Sequence, residues 1–93
     1  MFESPDALRK YALAVSSQLR SEGLLEQSKT LEHRANLACT TGWEWLGELG
    51  LGVEKIISSG SLSNDIEKKL NKILKTTKSE TPYGERMQLT HNE

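Results

Sequence analysis

The chain is short of several things, and each shortage excludes a class of protein. It has one cysteine in 93 residues, Cys39, so no intramolecular disulfide can form. A chain this small from an oxidising compartment usually carries an even set, and a cytoplasmic setting is expected. The longest strongly apolar stretch, residues 45–53, is broken by Gly47, Glu48, Gly50 and Gly52, far short of the roughly 20 residues that span a bilayer. No membrane association is expected. The N-terminal MFESPDALRK puts Glu3 and Asp6 where a signal peptide would carry its basic region. There are two prolines, five aromatic residues and a net charge of -1. With 35% hydrophobic residues the composition sits near the soluble globular average, which argues against wholesale disorder, a collagen-like repeat or a disulfide scaffold.

Strand alternation is also missing, and the periodicity that is present is helical. Ser4, Pro5 and Asp6 supply a cap, a first-turn proline and an acid at the positive end of the dipole. Leu8, Ala12, Val15 and Leu19 then form one stripe, until Gly23 offers the left-handed conformation that ends helices. This predicts a helix over about 5–22. A second follows at once, with Leu24, Leu31, Ala35 and Ala38 continuing the period toward Cys39, so the two must fold back as a hairpin. Thr41 with Glu44 has the spacing of a capping box for a third helix, whose stripe is Leu46, Leu49, Val53 and Ile56. Ser63 or Asn64 caps a fourth, carrying Ile66, Leu70, Ile73 and Leu74. The expected fold is all-α: a small bundle of four short helices, mostly antiparallel, over residues 1–76. A polar, flexible tail is expected over 77–93, with Pro82 and Gly84 as breakers. Glycines in the third helix leave a steeper crossing open.

Catalytic chemistry finds little support in this pattern. Cys39 and His33 lie six residues apart, about 240° around a helix, and cannot pair directly. A small core cysteine and a solvated histidine describe them. No Glu-x-x-His pair, phosphate loop or glycine-rich dinucleotide motif occurs. Glu44 and Glu48 share a face, but the first turns of a helix favour acids in any case. No enzyme activity, metal or cofactor is expected.

Charge is unevenly distributed. Residues 61–79 hold five lysines against two acids, a net +3. Lys68, Lys72 and Lys75, with Lys69 beside them, make a row that could contact phosphates. No arginine joins that row, no aromatic residue interleaves for base stacking, and Asp65 and Glu67 dilute it. A solvated lysine face competes with a nucleic-acid face, and a sequence-reading helix-turn-helix fits poorly.

The unusual segment is 41–52, TGWEWLGELGLG, with both tryptophans and four of the seven glycines. A glycine inside a helix costs about 1 kcal/mol relative to alanine, so Gly47, Gly50 and Gly52 need a reason. One reason is close helix packing, with Trp45 in the core and Trp43 covering the glycines. The other is a slot formed by Trp43, Gly47 and Gly50, with Leu51 nearby, that receives a partner side chain or a small ligand. Leu13, Leu37 and Leu51 fall off the main stripes, an apolar surplus that suggests a second interface with another copy or another protein. The run T-G-W-E-W-L-G-E-L-G at 41–50 resembles a segment of small uncharacterised bacterial proteins; the resemblance implies a bacterial origin and no activity. The expected function is a non-catalytic helical interaction or regulatory protein. It would act through a surface around helix three, with nucleic-acid association or ligand binding at the Trp43 groove as alternatives.

Overall fold

A computed structural model gives four helices: α1 Pro5–Ser21, α2 Leu25–Ala35, α3 Gly42–Ser58 and α4 Asn64–Thr77. The structure describes residues 2–38 and 41–79. Cys39 and residues 80–93 of the expected 77–93 tail lie outside them, and Thr77, expected in the tail, is instead the last residue of α4. Among the described residues no strand forms, and no helix is long and apolar enough to cross a membrane.

Local chemistry sets the helix ends. The Ser4 hydroxyl accepts from the Ala7 N–H, Thr41 from Glu44 and Ser63 from Ile66, each satisfying a donor that the first turn leaves unpaired. α1 stops as Gly23 turns to φ 84. Gly23 N–H then reaches the Arg20 carbonyl and Leu24 N–H the Leu19 carbonyl, both at 3.0 Å. These are the paired bonds of a Schellman turn, and they send α2 back along α1.

α2 is shorter than its periodicity suggests. It ends at Ala35 rather than running on toward Cys39, and Ala38 lies exposed beyond it. Two side chains from other helices engage the Ala35 carbonyl: Arg9 Nε at 3.2 Å and Trp45 Nε1 at 3.0 Å. A carbonyl that a continuing helix would offer to residue 39 instead anchors α1 and α3.

Packing runs around a ring, with α1 against α2, α2 against α3, α3 against α4, and α4 closing on α1. Cross-helix pairs such as Ser16 with Ser28 and Arg9 with Ala35, or Gln18 with Asp65 and Tyr11 with Lys72, run in opposite residue order. α1 therefore runs antiparallel to α2 and to α4. The core contains Leu8, Val15, Leu19, Leu31, Leu46, Leu49, Val53, Ile56, Ile66, Leu70 and Ile73, all fully buried. Leu13 and Leu37, off the stripes by sequence, pack half-buried against this core. Phe2 adds to it from outside the helices, its ring 5.0 Å from Tyr11. Inside the α1–α2 contact, the buried Ser16 and Ser28 hydroxyls each donate to the other's backbone carbonyl at 2.8 Å.

Candidate functional site

Helix α3 buries one side and leaves an apolar row on the other. Trp45, only 5% exposed, belongs to the core. Trp43 is 56% exposed and Leu51 57%. They stand four residues either side of Gly47, about 12 Å apart at the helical rise. Side chains at i, i+4 and i+8 follow one another along a single face, so Trp43, Gly47 and Leu51 form a continuous strip.

The three interior glycines of α3 have different physical reasons. A Cβ on Gly52 would come within 2.6 Å of Arg34 Cγ, so glycine here makes room for the arginine stem against α3. Arg34 thereby reaches Glu48, donating from Nη1 to its carboxylate and to its backbone carbonyl. A Cβ on Gly50 would lie 2.8 Å from Thr77 Oγ1 and 3.9 Å from Leu74 Cδ1, which makes Gly50 the close-approach point between α3 and α4. Gly50 is accordingly buried, and the slot expected of Trp43, Gly47 and Gly50 together does not form: Thr77 occupies its floor. Close packing accounts for Gly50 and Gly52. Gly47 is exposed, with nothing within 4 Å of the place its Cβ would take. Packing among the described residues gives no reason for glycine there.

Leu25, at the start of α2, is 55% exposed and was not distinguished by sequence. It directly follows the half-buried Leu24, and only the end of α1 decides which of the two adjacent leucines turns inward.

The lysine row on α4 is partly consumed by the fold. Lys69 donates to Gln18 Oε1 at 2.8 Å and pairs with Asp65 at 3.2 Å. Lys72 lies 5.2 Å from the centres of both the Phe2 and Tyr11 rings, a cation–π contact that ties it to the N-terminal segment. Lys68 and Lys75 remain exposed and make no ion pair among the described residues. Two cations on one helix form a small footprint for a phosphate backbone. Asp65, held between Gln18 and Lys69, has its carboxyl below the ordinary range, first through the Gln18 amide and then through the lysine.

Among the described residues no group of three or more His, Cys, Asp and Glu could hold a metal ion. His33 lies exposed on α2. No known protein family, curated protein or solved structure matches the chain.

Proposed function

We propose that this chain is a non-catalytic, cytoplasmic interaction protein that receives a helix of a partner protein along the exposed face of α3, crossing at Gly47. The observation that carries this reading is the pairing of two large exposed apolar side chains with a glycine that packing among the described residues does not require. An exposed helical glycine lowers stability by about 1 kcal/mol, and close approach of a neighbouring backbone is a use that offsets it. Trp43 then supplies the anchor, as exposed tryptophans commonly do at interfaces. A second copy of the chain also meets this geometry. A two-fold axis through Gly47 would set Trp43 of each copy against Leu51 of the other, the self-complementary arrangement an isologous dimer needs. Two side chains supply less than the roughly 800 Å² per partner of a stable interface, so the expected complex is transient.

The test captures partners from native lysate with brief cross-linking and nuclease treatment, alongside the mass of the purified chain by light scattering. Wild type is compared with Trp43→Ala and Gly47→Leu, both at exposed positions that leave the core intact. A protein partner or a dimer, lost in both variants while the thermal melt is retained, supports the reading. A monomer whose captured proteins are the same in all three chains overturns it.

A further inference from the structure

The cleft between α2 and α3 gathers cationic groups that the fold leaves uncompensated. Lys29, Thr30, His33 and Arg34 from α2 and Lys55 from α3 line an open recess of about 270 Å³. Arg9, Lys10, Arg20, Arg34, Lys69 and Lys78 each have a carboxylate partner. Lys29 and Lys55 have none among the described residues, though they sit on different helices and converge on one recess. Glu48 is the acid bonded to Arg34, and Glu32 on α2 is turned to Arg20 on α1. Counting Arg34 against Glu48, the recess keeps two fixed positive charges, with the His33 imidazole and the Thr30 hydroxyl as further donors.

We infer that this recess is a binding site for a dianionic phosphate group, carried by a small phosphomonoester. Two uncompensated ammonium groups match two negative charges. Ammonium, guanidinium, imidazole and hydroxyl groups can all donate to the acceptor oxygens of a phosphate, and the two uncompensated charges favour an anion over a neutral ligand. Among the described residues no aliphatic side chain lines the recess and the His33 imidazole is its single ring, so polar contacts dominate there. The organic part of the ester extends past Lys29 and His33 into the adjoining cleft, which Glu32, Asn36 and Leu37 also line. Gly52 is part of the construction. By admitting the Arg34 stem against α3, it holds the guanidinium in the recess, with Nη1 on Glu48 and the other N–H groups without a bond among the described residues. Lys55 stands one turn beyond Leu51 on α3, so the recess adjoins the Trp43–Leu51 strip, but the inference does not depend on the interaction proposed for that strip.

Inorganic phosphate is the probe, titrated into the full chain at constant ionic strength against chloride and followed by proton–nitrogen and histidine-ring NMR signals. Saturable shifts at Thr30, His33 and Lys55 are expected. Lys29→Gln and Lys55→Gln should each weaken binding about tenfold, the loss of one charge-assisted bond. Lys68→Gln, an exposed and unpaired lysine on α4, should leave it unchanged. Both test lysines are exposed, so the variants keep the fold. Shifts that never saturate, that chloride reproduces, or that weaken equally in Lys68→Gln would overturn the assignment.

Discussion

Gly47→Ala should stabilise this protein, and Gly50→Ala, one turn away on the same helix, should not. Both substitutions reduce the freedom of the unfolded chain and raise helix propensity, a gain of about 1 kcal/mol where the native site accepts a methyl group. At Gly47 the new Cβ meets nothing within 4 Å among the described residues, so the whole gain is expected, or roughly 4–8 °C in melting temperature for a domain of this size. At Gly50 the Cβ would lie 2.8 Å from Thr77 Oγ1. That hydroxyl donates to the Leu74 carbonyl at 2.7 Å, and threonine is stiff at χ1. Relief therefore requires either breaking that bond, worth about 1 kcal/mol, or moving α4 away from α3. The gain is cancelled or reversed. Chemical denaturation followed by circular dichroism measures both variants against wild type. A destabilised Gly47→Ala, or a Gly50→Ala stabilised as much as Gly47→Ala, would refute the division of these glycines by what surrounds them. The Gly47 result also bears on the docking strip, because a variant that is more stable yet binds less separates the glycine's role in binding from its cost in folding.

Other residues give equally direct outcomes. Trp45→Phe removes the Nε1 hydrogen bond to the Ala35 carbonyl and weakens the cation–π contact of Arg9, 5.7 Å from the ring centre; a loss of about 1–3 kcal/mol in denaturant unfolding is expected. Ser63→Ala deletes the cap on α4, whose hydroxyl accepts from Ile66 N–H; about 1 kcal/mol should be lost, and Ser63→Asp should retain most of it. Asp65 has a carboxyl pKa lowered by Gln18 and Lys69. Its stabilising contribution is present above the ordinary carboxylate pKa and is lost as pH falls through the lowered folded value. The melting temperatures of wild type and Asp65→Asn should therefore differ at neutral pH and converge in strong acid, and a constant difference across that range would contradict the assignment.

Neighbours a few residues apart are enough to specify the helices, the capped starts of three of the four and most of the core. A hydroxyl three positions before an amide caps it wherever the chain is, as at Ser4, Thr41 and Ser63. Apolar residues at helical spacing must share a face, as Leu8, Ala12, Val15 and Leu19 do. Gly23 reverses the chain through its own backbone freedom.

Features that depend on atoms distant along the chain take shape only in the packed fold. α2 ends at Ala35 because Arg9 and Trp45 hold its carbonyl, a competition that no local pattern contains. The glycines at 47, 50 and 52 look alike in a row of letters. They separate only when Thr77 is found over Gly50, Arg34 over Gly52 and no other described residue over Gly47. The same holds for charge. Four lysines at helical spacing promised one basic face, but Gln18, Asp65, Phe2 and Tyr11 claimed Lys69 and Lys72. The recess that joins Lys29 to Lys55 exists only because α2 and α3 pack side by side. Helical periodicity fixes which residues face the same way, whereas a site is made by side chains that the packing of separate helices brings within a few ångströms of each other.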